Sequence, residues 1–341
     1  MHIPENYLSP GTCAVLTAAM APVWYMSLQK VKKELPPEKL PLLGVAAAFS
    51  FLAMMFNIPL PGGTTGHAVG GTLIALLFGP YAACLSVSVA LIVQAVFFGD
   101  GGILAIGANC FNMAFLLPFT GYYAFTLLKK CFTTGTMLPV CAAGAGFLGI
   151  NAAALAAAIE FGIQPLLFTN ELGQALYCPY PLSISIPAMM AGHLTIFGLA
   201  EAVFTGTMLA YLTKAAPAFS SAADRYADKK IGASLTALLA LIILCPLGLI
   251  AEGTAWGEWG AEEMAELTET GAPLGYTPAG MLEGFSLDVW FPDYAISGMP
   301  DSFAYILSAI IGTALLVITF KLWGSFATGK YKNTASIKAV F

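Results

Sequence analysis

Nine apolar runs, most of them about as long as a membrane-crossing helix, leave this chain few ways to fold. They fall near residues 8–29, 40–58, 67–79, 81–98, 104–128, 136–161, 184–213, 231–250 and 303–323. A hydrocarbon core about 30 Å thick takes roughly 20 helical residues to cross. Only 10% of the 341 residues are charged and 58% are hydrophobic, whereas a soluble chain carries about 25% charge. The expectation is an all-α polytopic membrane protein. The third run is short, and Gly79-Pro80 can serve as a turn or a kink, so residues 67–98 cross either twice or once.

Basic residues set the orientation, because short cytoplasmic loops accumulate Lys and Arg. Lys30, Lys32, Lys33 and Lys39 lie between the first two runs, and Lys129 and Lys130 follow the fifth. Lys214, Arg225, Lys229 and Lys230 follow the seventh; Lys321, Lys330, Lys332 and Lys338 lie at or beyond the end of the ninth. Nine crossings with the N-terminus outside put all 14 basic residues on the cytoplasmic side. Eight crossings would divide them, which favours nine. Nothing basic precedes Leu8, so a signal peptide with a charged leading region is not expected. His2 is too large for ready removal of Met1, and the encoded N-terminus is expected to be the mature one.

The runs form a dense block over 1–214, then a polar linker over 215–230, then a different pattern over 231–341. That last part holds one run, a long loop near 251–302, one final run and a tail. The loop carries Glu252, Glu258, Glu262, Glu263, Glu266, Glu269, Glu283, Asp288, Asp293 and Asp301 and no basic residue. Such acidity solvates a loop; it also raises the local concentration of cations. Gly144, Ala145, Gly146, Gly149, Ala152, Ala153, Ala154, Ala156, Ala157 and Ala158 crowd the sixth run, giving a face that admits close helix packing by a neighbouring span or a partner subunit.

Seven cysteines are scattered without a CxxC pair, and most fall in apolar runs, where cysteine acts as a small apolar residue. No GxxxxGK[ST] loop is present, so the chain does not itself hydrolyse ATP. Neither HExxH nor GxSxG points to an intramembrane hydrolase.

The three histidines stand at positions 2, 67 and 193. The Met1 amine, the His2 backbone nitrogen and His2 Nδ1 can chelate one ion through adjacent five- and six-membered rings. A fourth nitrogen completes a square, the geometry of Ni(II) or Cu(II). His67 can supply it if the loop Asn57–His67, rich in Pro and Gly, folds over the N-terminus. Each histidine also has an ordinary reading as a surface or capping residue. His193, and Glu201 two turns on, sit deep in the seventh run, where ionisable residues suggest function. Their depth argues against sharing an outer site with Met1 and favours a structural polar contact. Asp100, between glycines, reads as a turn residue in preference to a ligand.

At these residues the sequence resembles the CbiM/NikM family, the substrate-specific components of energy-coupling-factor cobalt and nickel transporters. Met1-His2-Ile3-Pro4 with Leu8-Ser9-Pro10 is similar to its opening. PGGTTGHAVGG (61–71), FGDGGILAIGANCFNM (98–113) and the stretch from Gly192-His193 to Glu201-Ala202 are similar to three further motifs. The likeness covers about 1–214. It implies a core of seven helices that captures Ni(II) or Co(II) as cargo, with no resident cofactor, through Met1, His2 and His67. Thr65, Asn109, Asn112, His193 and Glu201 are the supporting or structural candidates. It further implies a CbiQ/NikQ-like coupling protein and CbiO/NikO-like ATPase subunits as partners, no nucleic acid, and a bacterial or archaeal cytoplasmic membrane. Residues 231–341 resemble the accessory component CbiN/NikN or the related PDGLE domain, adding two helices; Pro278–Glu283 stands imperfectly where the PDGLE signature falls. Such accessory regions are expected to help load the metal, and nickel is slightly favoured over cobalt. The rival readings are a secondary divalent-metal permease, a component for an organic vitamin, and an intramembrane enzyme using His193 and Glu201.

Overall fold

The structure, a computed structural model, describes residues 1–60, 64–132, 137–215, 231–251, 253–267 and 273–338. The expected linker 215–230 lies outside the described residues except for Ala215, as do Pro61, Gly62 and Gly63 of the glycine-rich loop. Helices dominate, and each apolar run contributes one. They are α1 (Pro10–Glu34), α2 (Pro41–Met54), α3 (Gly71–Phe78), α4 (Pro80–Phe98), α5 (Ile106–Cys131), α6 (Leu138–Gly162), α7 (Leu182–Lys214), α8 (Ile231–Leu244) and α9 (Asp301–Lys338). Six of them, α1, α4, α5, α6, α7 and α9, are long and apolar enough to cross a membrane.

α3 differs from the helix expected over 67–79. It has eight residues, about 12 Å at 1.5 Å per residue, and residues 67–70 before it are not helical. The reason is a competing set of hydrogen bonds. Glu201 Oε2 accepts from the backbone N–H of Val69 at 2.8 Å and of Gly70 at 3.0 Å, and Ser50 Oγ donates to Val69 O at 2.8 Å. Gly70 has φ +72°, a left-handed conformation that a side chain disfavours. Irregular backbone at membrane depth is tolerated only where protein surrounds it and satisfies its polar groups, and Glu201 and Ser50, both buried, do so here. Ahead of this stretch, β1 (Ile58–Leu60) and β2 (Thr64–Gly66) pair antiparallel, Pro59 opposite Thr65.

α2 lies at the centre, with every residue from Ala46 to Met54 buried. The C-terminal helix α9 packs directly on it: a Cβ at Gly44 would stand 2.9 Å from the Val317 backbone. The small-residue face of α6 is used inside the bundle. A Cβ at Gly149 would meet Leu117 O of α5 and Thr72 Oγ1 of α3, both at 2.7 Å, while one at Gly146 would meet Thr205 Oγ1 of α7 at 2.8 Å. Val140, Leu148, Leu155 and Ile159 cover its exposed side. All seven cysteines are free thiols, six of them buried.

Three helices loosen into π turns, at Gln94–Phe98 of α4, Cys110–Leu116 of α5 and His193–Phe197 of α7. Such turns concentrate at functional sites, and these three carry or lie beside Asp100, Asn109 and His193.

Candidate metal centre

The first nine residues form no helix and run into the bundle. Ser9 ends this entrance: its Oγ accepts from Thr12 N at 3.0 Å and caps α1, with Pro10 in the first turn. Upstream, the backbone is pinned at several points. Asn109 closes a pair of bonds with Ile3, accepting from Ile3 N at 2.7 Å and donating to Ile3 O at 3.0 Å. Gly102 N adds a 2.8 Å bond to Ile3 O. Glu5 accepts from the backbone of Ile103 at 2.5 Å and of Leu104; burial raises its carboxyl above the ordinary range, against these two bonds.

Met1 and His2 are thereby buried, 3% and 2% exposed. The Met1 ammonium donates to Glu258 Oε1 at 2.6 Å. His2 Nδ1 lies 3.2 Å from His67 Nε2 and 3.1 Å from Asp100 Oδ1. His67 Nδ1 is 3.1 Å from Ala68 O, so that nitrogen carries the proton and Nε2 presents a lone pair. Two acceptors therefore face His2 Nδ1, which satisfies both by carrying a proton. Its Nε2 is buried with no hydrogen-bond partner among the described residues.

This proton sits where a cation fits. Metal–imidazole bonds of about 2.0 Å place adjacent nitrogens of a square about 2.8 Å apart, close to the observed 3.2 Å. Among the described residues no three His, Cys, Asp or Glu side chains gather to hold an ion. Four-coordination here has to draw on the amine and backbone of the N-terminus.

Asp100 is more than a turn residue. Flanked by Gly99 (φ +72°) and Gly101 (φ +88°), its Oδ2 accepts from Tyr294 Oη at 2.5 Å and from Gln94 Nε2 at 3.1 Å, which aims Oδ1 at His2. Tyr294 and Glu258 both come from the C-terminal region, so that region helps build the centre. Burial, then the neighbouring Asp100 charge, raises the Asp293 carboxyl. A cavity of about 570 Å³ opens onto this group, lined by His2, Thr65, His67, Asp100, Glu258 and Glu263 among others.

The remaining candidates divide. Thr65 is buried against the centre. Asn112 is not part of it and donates instead to Glu160 Oε2 at 2.7 Å. Glu201 acts at one remove, through Val69 and Gly70. His193 is not remote from Met1, contrary to the depth argument: both line one small cavity. The irregular path of residues 1–9 and 64–70 brings the N-terminus to the level of the α7 π turn. Glu258 was one of ten acidic loop residues with nothing in the sequence to single it out.

A buried N-terminus beside two imidazoles, in a helical chain with six helices long and apolar enough to cross a membrane, has the make-up of a multi-pass membrane protein. Residues 2–219 match the model of the cobalt uptake substrate-specific transmembrane region, and residues 228–328 match the PDGLE domain. The chain belongs to the CbiM family and carries a fused PDGLE domain. A probable fused nickel transport protein, LarMN, of Lactiplantibacillus plantarum is 48% identical over 95% of this chain and 97% of its own length. The fused nickel transport protein NikMN of Rhodobacter capsulatus is 47% identical over 93% and 95%. A crystal structure of a truncated transition metal transporter is 52% identical, covers 63% of this chain and 99% of its own, and superposes with a TM-score of 0.60.

Proposed function

We propose that the chain captures Ni(II), in preference to Co(II), from outside the cytoplasmic membrane, as the substrate-specific subunit of an ATP-driven energy-coupling-factor transporter. The observation that carries this reading is His67 Nε2 set 3.2 Å from His2 Nδ1 beside a buried N-terminal amine. The ion takes the place of the proton between the two imidazoles. The Met1 amine and His2 backbone nitrogen complete the square after each gives up a proton, and the His2 ring then carries its proton on Nε2. Four nitrogens in a plane favour nickel.

In this reading residues 1–214 are a seven-helix core, 215–230 a cytoplasmic linker and 231–341 an accessory region of two helices with an acidic outer loop. The N-terminus faces out, and the basic C-terminal tail faces the cytoplasm. A CbiQ/NikQ-like coupling protein and CbiO/NikO-like ATPases supply the driving force. Two relatives that match nearly the whole chain are named nickel transport proteins, which supports nickel as cargo.

The test is an N-terminal extension. Two residues placed before Met1 turn its amine into an amide and remove one of four ligands. Nickel titration of the purified chain is expected to lose high-affinity binding, while a C-terminal extension leaves it intact. Unchanged nickel affinity in the extended protein, with mass spectrometry proving the extension present, overturns the ligand set.

A further inference from the structure

Two cavities border the Met1-His2 dipeptide, and Thr65 and Ala255 line both. His2 faces the large one of about 570 Å³, which Met1 does not line. Met1 faces a second of about 20 Å³, which His2 does not line; its other walls include Thr64, Thr65, Met189, His193 and Phe197. A space of that size admits one water-sized occupant, so a hydrated divalent ion is excluded and a stripped one fits.

His193 carries the one basic side chain on that wall among the described residues, and its chemistry is fixed by a local bond. Its Nδ1 lies 2.8 Å from Met189 O, the carbonyl one turn back, and so carries the proton. The Nε2 lone pair is left without a hydrogen-bond partner among the described residues, in a side chain 4% exposed. The ring is held edge-on to Phe197, centroids 5.2 Å apart, and stands at the first residue of the α7 π turn. A Cβ at Gly198 would collide with the His193 carbonyl, so the turn that carries this ring depends on glycine. Thr64, which lines the same cavity, has its Oγ1 buried without a partner among the described residues. An oriented imidazole lone pair is a good ligand for Ni(II) or Co(II), and an ionisable group at membrane depth marks an ion pathway more often than a packing accident.

We propose that His193 Nε2 is an inner transit ligand, which takes the dehydrated ion from the Met1, His2 and His67 nitrogens on its way through the protein. The inference rests on the four-nitrogen reading above. Capture occurs on the His2 side of the dipeptide and release passes through the Met1 side. A single imidazole with a hydroxyl beside it binds more weakly than the four-nitrogen square, which suits a site the ion must leave.

The experiment pairs His193→Asn with His193→Gln in the full chain, expressed with its coupling and ATPase subunits. Asn keeps a donor near the Nδ1 position for Met189 O but has no atom at Nε2; Gln reaches the Nε2 position with a weakly ligating oxygen. The probe is Ni(II) alone, read by titration of the purified protein and by uptake of radioactive nickel in cells. The expected result for His193→Asn is nickel affinity and visible absorption as in wild type, with maximal uptake reduced about tenfold or more and the half-saturating concentration unchanged. His193→Gln is expected to retain intermediate uptake. Undiminished uptake in His193→Asn overturns the proposal, and so does an equal loss of binding and uptake, which would place His193 in the capture site or the fold. Failure of the underlying reading shows separately, as undisturbed nickel binding in the N-terminally extended chain.

Discussion

Asn109→Ala asks whether the docked N-terminus is the binding site or only lies near it. The Asn109 amide makes two bonds to Ile3, and nothing else among the described residues accepts from the Ile3 N–H. Ile3 is fully buried, so truncation strands that N–H; Ile3 O keeps its bond from Gly102. A stranded buried donor costs about 1–3 kcal/mol, and the second lost bond adds about 0.5–1.5 kcal/mol, roughly 2–4 kcal/mol together. Glu5 and Ser9 hold the chain downstream, so this cost falls on residues 1–4 and not on the whole fold. If the docked form alone binds metal, apparent affinity drops by the docked fraction. The full cost corresponds to about 30- to 1,000-fold at roughly 1.4 kcal/mol per decade. The Met1–Glu258 contact and the Gly102 bond oppose undocking, which puts the expected loss near 30-fold. The assay is calorimetric nickel titration in detergent, with thermal unfolding measured alongside. Asn112→Ala is the control: it strips a buried bond to Glu160 from the π turn that follows Asn109, without touching the N-terminus, and should lower the melting temperature but not the affinity. Nickel affinity within twofold of wild type in Asn109→Ala refutes the argument.

His67→Ala removes the nitrogen beside His2 Nδ1 that closes the square and should leave a three-nitrogen chelate with weak, labile nickel binding; tight binding measured by competition against a chelator would contradict this. Two protons leave the ligand atoms on binding, so affinity should fall as pH drops, by about 100-fold per unit where both are released. A flat profile between pH 5.5 and 7.5 would exclude the amine and amide as ligands. Glu201→Leu strands the N–H groups of Val69 and Gly70, at about 1–3 kcal/mol each, and should displace His67 and weaken nickel binding. Glu201→Gln keeps an acceptor oxygen for both and should bind nickel nearly as wild type; if the two variants behave alike, Glu201 does not position the loop.

The apolar runs disclosed where the long helices among the described residues lie, because a continuous span has to satisfy its backbone internally and its composition shows it. They could not disclose that residues 67–70 leave the helix, since that depends on a carboxylate 131 and 132 residues further on taking two backbone donors. His2 and His67 were legible as a pair through their chemistry, and Asn109 only through its motif. Asn112, in that same motif, points into the core instead. Asp100 read as a turn residue because its glycine neighbours announce a turn, and the turn is real; what the glycines do not reveal is that Tyr294 and Gln94 aim the carboxylate at His2. Depth along α7 sets His193 far from an outer N-terminus, but the irregular N-terminal segment runs inward until Met1 and His193 line one cavity.

The Met1–Glu258 contact joins residues 257 positions apart, the first residue of the chain and one within the stretch that matches the PDGLE domain. Held on one polypeptide, the carboxylate reaches the ammonium at an effective concentration set by tethering, in the millimolar range for short flexible connections, instead of by how many free accessory subunits happen to be nearby. Each pocket is therefore finished by its own tail, in fixed one-to-one proportion. A ribosome that stops before residue 258 leaves behind a helical core whose first amino group has lost its counter-charge.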